Sequence, residues 1–364
     1  MVLTKLVLGI RTASPSAAHM KDLYAVLDGL SEIFEMGATP PIDIFLIFRY
    51  LPESLFGYWR SRSRRVEDTM VNLYHPLVDR VQQRREKSGP RETFVDGVLD
   101  QQDKLQLTRH EIDLMVGNLL EGGSDTSSIM TIAFIQAMAC FPDVQCEAQR
   151  EIDALFGEDK IPDWKDYARL PYVAMVVKET MRWRPVMPTG FPHATSQGMP
   201  GKQHNFSILT TTETTINSMT IPANSTVIIN TWGLHHNPIK HTNPDTFNPL
   251  RFQNQPRPAP AYISAHSGED RDHFGYGAGR RICPGIHLAE RMLFVAIVRI
   301  LWAFDIRAHE EETINTNPRT GYTNGFLRCA KPFGVSITLR SEERRETVER
   351  EFICAMEVFR QYEV

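Results

Sequence analysis

A mainly α fold with a small β region follows from three features of this sequence. Apolar residues recur at helical spacing through most of the chain. The longest such run, residues 108–140, is long enough to cross a whole domain at ~45 Å. Strand-like stretches are few, at residues 219–221, 225–230 and 334–339.

The 364 residues admit one large domain or two ordinary ones. A formal net charge of −4 gives no overall basic field, so no nucleic-acid partner is expected. Cys140, Cys146, Cys283, Cys329 and Cys354 are scattered without a CxxC pair. That fits a reducing compartment and argues against a disulfide framework or a zinc site. No run approaches ~20 apolar residues, so no transmembrane helix is expected.

Taken in order, the first ten residues read as an amphipathic helix inside the fold rather than a signal peptide, because a cleavage site is missing and Arg11 follows at once. Residues 20–36 carry Leu23, Val26, Leu27, Leu30, Ile33 and Phe34 at helical spacing, and Pro40-Pro41 breaks the run. Residues 42–52 are apolar and proline-bounded; they suit a buried connector, a pocket wall or a membrane contact. From Trp59 to about Lys87 the pattern predicts a long charged helix, kinked at Pro76. Its basic run, residues 60–65, reads as a solvated face.

Thr108 and Glu111 form a capping box, which starts a helix that Phe141-Pro142 stops. It is apolar on most sides, the mark of a central helix. Its middle reads Glu121-Gly-Gly-Ser-Asp-Thr-Ser-Ser128. Two adjacent glycines there cost ~2 kcal/mol relative to alanine. One explanation is a close helix crossing with Thr126 bonded back to the preceding turn. The other is a locally opened helix that presents Asp125 and Thr126 to a ligand. A second helix runs from Pro142 to about Leu155. Pro171 opens another, ending at Arg184-Pro185, in which Glu179 and Arg182 share one face. Pro222 to Ser225 forms the turn between the first two strand-like pieces. Residues 341–364 form a charged helical tail with Phe352, Ile353, Met356, Val358 and Phe359 partly on one side.

The densest signal is Tyr276-Gly-Ala-Gly-Arg-Arg-Ile-Cys-Pro-Gly285. Its glycines suit left-handed backbone or a close approach to a flat ligand. Pro284 suits a first helical position ahead of an apolar run through Ile300. Alone, Cys283 reads as a small buried hydrophobe. A helix N-terminus with Arg280 and Arg281 alongside instead favours a thiolate, suited to an axial iron ligand.

The whole pattern resembles the haem-thiolate loop of cytochromes P450. The matching positions are Tyr276, Gly279, Arg281, Cys283 and Gly285, with Tyr276 where the family usually has Phe. Gly122, Gly123, Asp125, Thr126 and Ser127 are similar to the family's oxygen-activating helix. Glu179 and Arg182 resemble its Glu-x-x-Arg pair, and Pro249-Leu-Arg-Phe252 its third partner, with Arg251 kept and Leu250 in place of the usual acid.

The resemblance implies a cytochrome P450 fold over residues 1–340, lacking the family's front part of on the order of 100–150 residues. It implies haem b (iron protoporphyrin IX) on Cys283, with Arg281 and His193 facing its propionates, and residues 185–192 skirting it. Asp125 and Thr126 would manage protons. Electrons would come from NADPH through a cytochrome P450 reductase, and the substrate would be a small apolar molecule. The style resembles fungal enzymes of secondary-metabolite biosynthesis, with the full-length form anchored at the endoplasmic reticulum membrane. A catalytically inactive fragment with weak or no haem binding is the alternative; an oxygen-independent isomerase or dehydratase fits the Asp125-Thr126 pair less well. Residues 197–210 interrupt the family pattern and read as an insertion. Gly198-Met199 and Leu209-Thr210 can be encoded by splice-like sequences, which suggests a translated intron.

Overall fold

In the computed structural model helices dominate and strands are short, as the periodicity predicts. The structure describes residues 2–12, 14, 16–35, 37–42, 45–191, 193–194, 214–216, 218–222, 225–263, 270–309, 312–360 and 362. The expected insertion at 197–210 lies outside the described residues.

Two compact units divide the chain. The first contains residues 1–128, 323–327 and 345–364; the second contains 129–322 and 328–344. In the first unit α1 (Val2–Leu8) buries Leu3, Val7 and Leu8. α2 (Ala18–Phe34) turns Met20, Leu23, Val26 and Leu27 inward; of the expected face, Leu30 and Ile33 are half-buried and Phe34 is exposed. It packs on α3 (Trp59–Ser88), which carries Pro76 within it. Gly29 sets that approach, since a Cβ there would stand 2.6 Å from Val66 Cγ2. Two short helices follow that periodicity does not announce, α4 (Phe94–Asp100) and α5 (Gln102–Leu105). Thr93 caps α4 by accepting the Asp96 N–H.

α6 (Arg109–Cys140) starts in the first unit and ends in the second. Its capping box forms as expected: Thr108 N–H donates to Glu111 Oε2 at 2.8 Å, and Glu111 N–H to Thr108 Oγ1 at 3.3 Å.

The second unit continues with α7 (Pro142–Asp153) and α8 (Pro171–Trp183), each opened by a proline that gives up no helical hydrogen bond. Four strands come next among the described residues: β1 (His193–Ala194), β2 (Thr214–Ile216), β3 (Met219–Ile221) and β4 (Thr226–Val227). β3 and β4 flank the predicted turn but do not pair with each other. β3 pairs antiparallel with β2, and β4 with β1. After α9 (Thr231–His235) and the cysteine loop, α10 (Ile286–Ala303) runs through the unit's core, burying Leu293, Phe294, Ile297, Val298, Leu301 and Trp302. It feeds β5 (Phe304–Ala308), which pairs antiparallel with β6 (Val335–Leu339).

α11 (Glu342–Arg360) is the predicted tail helix. Within the first unit, Arg11 reaches Met356 Sδ at 2.9 Å, and Lys5 lies over the rings of Phe359 and Tyr362. Phe352 and Ile353 stay exposed.

A buried connector does not form at residues 45–50. Phe45, Leu46, Ile47 and Tyr50 are 56%, 57%, 65% and 86% exposed, and Leu46–Arg49 is one short 3-10 turn. Among the described residues no single helix is long and apolar enough to cross a membrane; α6 and α7 pass such a test only as a pair bent by 105°.

Candidate functional site

α8 supplies the fixed point of the second unit. Glu179 and Arg182 stand one turn apart and are fully buried. Arg182 Nε and Nη2 donate to Glu179 Oε2 and Oε1 at 2.6 and 2.8 Å, a two-pronged pair. The remaining N–H groups of Arg182 donate to the carbonyls of His235 and Pro244, both at 2.9 Å. Arg251 adds Nε to Glu179 Oε1 at 3.3 Å and ties down the carbonyls of Thr242 and Asn243. Leu250, in the acid's place, is 53% exposed and takes no part. Two charges taken out of water in this way need all these partners, and the result specifies a geometry more than it adds stability.

The cysteine loop hangs from this frame. Cys283 N–H donates to Tyr276 O at 2.9 Å, closing the loop on itself. Cys283 is partly buried, and its sulfur receives the Gly285 N–H. A Cβ at Gly285 would stand 3.7 Å from that sulfur. Gly277 and Gly279 have φ of +75° and +68°, which only glycine adopts without strain, and open space lies where their Cβ atoms would be. Arg281 is exposed, with no protein partner for its guanidinium among the described residues.

Two expectations are corrected here. Pro284 does not open α10: Cys283 to Gly285 is a turn, Ile286 N–H bonds to Cys283 O, and Gly285 is the cap. Nor does the protein alone favour the thiolate. Burial pushes the Cys283 thiol up, and the Gly285 N–H offsets that only in part. Arg280 and Arg281 are exposed, where water and salt screen their charge. A coordinating metal deprotonates a thiol outright, so such a site acquires its anion with the metal.

The phenol of Tyr276 has a partner. Its hydroxyl donates to Glu290 Oε2 at 3.2 Å, and Glu290, buried on α10, also accepts the Ala259 N–H. Burial raises the Glu290 carboxyl, and its phenol and backbone contacts fit either protonation state.

In the first unit the middle of α6 is continuous helix rather than a locally opened one. Ser124, Thr126 and Ser128 each donate their hydroxyl to the carbonyl four residues back, Thr126 Oγ1 to Gly122 O at 2.9 Å. These bonds satisfy the hydroxyls without breaking the ladder. Gly123 is the close crossing: a Cβ there would meet Leu3 Cδ1 at 2.8 Å. Gly122 faces open space. The Asp125 carboxyl is pushed up by burial and then by Asp28. One turn earlier, Glu121 accepts the Tyr74 hydroxyl at 2.7 Å.

His193 begins β1, paired with Val227, and its side chain lies outside the described residues. Sequence reasoning missed Lys178, Asp272, His235, His273 and Glu290, all buried around the loop. Of these, Glu290 carried a signal: an acid on the apolar face shared by Ile286, Leu293, Phe294 and Ile297.

Comparison with known proteins identifies the family. The family model described as Cytochrome P450 matches residues 1–337. Cytochrome P450 monooxygenase anuE of Penicillium roqueforti is 44% identical over 93% of this chain and 67% of its own length. Cytochrome P450 monooxygenase patI of Aspergillus clavatus is 41% identical over 100% and 66%, and atE of Aspergillus terreus 42% over 98% and 64%. The chain thus spans about two thirds of the length of these relatives. Among solved structures, a zebrafish cytochrome P450 with progesterone matches with a TM-score of 0.69 at 22% identity, over 93% of this chain and 69% of that one. From the buried Glu179–Arg182 frame to the glycine-lined cysteine loop and these matches, the chain belongs to the cytochrome P450 family.

Proposed function

We propose that this chain carries the catalytic body of a haem-thiolate monooxygenase, with Cys283 as the axial ligand. The observation that supports this most directly is the Cys283 sulfur. It is partly buried, receives one backbone N–H, and sits in a loop whose glycines at 277 and 279 leave room where side chains would be. One soft sulfur donor, open space beside it and an arginine at 281 with no partner among the described residues fit a flat, iron-bearing group with acidic substituents. Bound there, haem b supplies the activation of dioxygen from which one oxygen atom enters a small apolar substrate.

The residues of the chain hold and feed that chemistry. Arg281 would pair with a propionate of the haem, with His193 as a second contact. Asp125 keeps its proton closer to neutral pH than an ordinary aspartate, which suits a donor. Thr126 commits its proton to Gly122 O and keeps oxygen lone pairs free, so it can accept from a bound ligand or switch its donation to it. Gly285 N–H steadies the sulfur. Electrons come from NADPH through a reductase that docks on the cysteine side. The exposed Phe45, Leu46, Ile47 and Tyr50, followed by the basic run 60–65, support contact with a lipid surface, in keeping with an enzyme anchored at the endoplasmic reticulum. The fungal relatives support a role in secondary metabolism, and the two units correspond to one P450 domain with a tail beyond residue 340.

The reduced, carbon-monoxide-bound absorption spectrum tests the reading. A thiolate-type Soret band in the wild type that disappears in Cys283→Ala is expected. A wild-type chain that takes up no haem, or whose band survives that substitution, overturns it. Reductase- and NADPH-dependent incorporation of labelled dioxygen into product then tests the monooxygenase step.

A further inference from the structure

Three consecutive backbone N–H groups lead into the cysteine loop, and a side chain accepts each of them. His273 N–H donates to Asp272 Oδ1 at 2.8 Å. Phe274 N–H donates to His235 Nε2 at 2.8 Å. Gly275 N–H donates to His273 Nδ1 at 3.2 Å. The carbonyls are held too: Arg271 donates to His273 O at 3.1 Å and to Gly277 O at 2.6 Å. Asp272 is itself fixed by Lys178 of α8, whose ammonium donates to Oδ2 at 2.6 Å while fully buried. A buried backbone N–H normally finds its acceptor in a helix or sheet. Here no strand or helix runs, and ring nitrogens take that role.

We propose that His235 and His273 are positioning residues for Cys283: as neutral acceptors they hold the strand-like lead-in of the loop in the one path that delivers the sulfur. A ring nitrogen accepts only when unprotonated. His235 must therefore carry its proton on Nδ1 and His273 on Nε2. Both of those N–H groups are buried without a hydrogen-bond partner, a cost tolerated so that the opposite nitrogens can face the loop. Neither ring has a role in binding or proton transfer under the haem-thiolate reading. The consequence for the iron rests on that reading; the clamp itself does not.

Substitutions that replace only the acceptor separate this from simple packing. In His235→Gln the amide oxygen can take the place of Nε2, and in His273→Asn that of Nδ1. His235→Leu and His273→Leu keep bulk and remove the acceptor. Amide hydrogen exchange in the haem-free full chain reads the clamp directly. We expect exchange at Phe274 to rise about tenfold in His235→Leu and to return close to wild type in His235→Gln, with Gly275 answering likewise to the His273 pair. In the haem-loaded chain, the leucine variants should shift the carbon-monoxide spectrum from the thiolate form towards the thiol form, and the amide variants should restore it. Unchanged exchange in the leucine variants overturns the proposal. So does failure of Gln and Asn to rescue, including failure to fold, because acceptor chemistry would then not be what matters. If the wild type binds no haem, the exchange experiment still decides the clamp, and only the functional reading falls.

Discussion

The surroundings of Cys283 and the middle of α6 handle buried polar groups in opposite ways. Around the loop, Lys178, Glu179, Arg182 and Asp272 are almost completely buried and reach partners far away in sequence, 94 residues for Lys178 and Asp272 and 72 for Glu179 and Arg251. In α6, Ser124, Thr126 and Ser128 are served by carbonyls of their own helix, four residues away, and Asp125 remains partly exposed. A network of the first kind fixes one geometry and fails as a whole. A set of local bonds can be exchanged one at a time for bonds to a ligand. Under the proposed function the difference would suit a ligating atom that must not move and a hydroxyl that must.

The largest test of that contrast is Glu179→Ala. It strands two arginines, Arg182 fully buried, and should cost about 3–5 kcal/mol. We expect loss of soluble folded chain or a steep drop in urea midpoint; a midpoint close to wild type would mean the network is not what fixes this unit. Acid comes next. Burial pushes His273, His236 and His241 down to about 4, each below the ordinary 6.5. The unfolded chain therefore takes up these protons first. Their contribution is whole above about pH 6.5 and drains away as pH falls towards 4. Thermal midpoints taken through that window should decline, and a flat profile down to about pH 4.5 would contradict it.

The α6 glycines sharpen the comparison on a smaller scale. Gly123→Ala forces its methyl group on Leu3 and should cost about 1–3 kcal/mol. Gly122→Ala meets open space and should gain about 1 kcal/mol. Equal midpoints for the two variants would remove the case for a close crossing. Smallest in stability is Thr126→Val, within about 0.5 kcal/mol. Its expected signature is product formed per NADPH consumed, which should fall while the melting midpoint holds; unchanged coupling would take Thr126 out of proton handling.

Local rules made much of this legible. Prolines at 142 and 171 and the Thr108–Glu111 box announced helix starts, and the spacing of Glu179 and Arg182 announced their shared face. What escaped was set by contacts that no spacing encodes. His235 accepts from Phe274 across 39 residues, and nothing near either one signals it. Nothing local marks Lys178 as a buried lysine; α8 is buried on all sides at that position. The middle of α6 left two explanations standing because glycines and hydroxyls fit both a tight crossing and an opening. Leu3, more than a hundred residues upstream, decided for the crossing at Gly123.

Leu3 is also where the far end of the chain makes itself felt. It belongs to α1, and α1 and the residues just after it are clasped by Met356, Phe359 and Tyr362 through Lys5 and Arg11. Trimming the tail would therefore loosen a wedge seated three residues from Thr126. An experimenter who shortens this protein for convenience should expect the middle of α6 to notice.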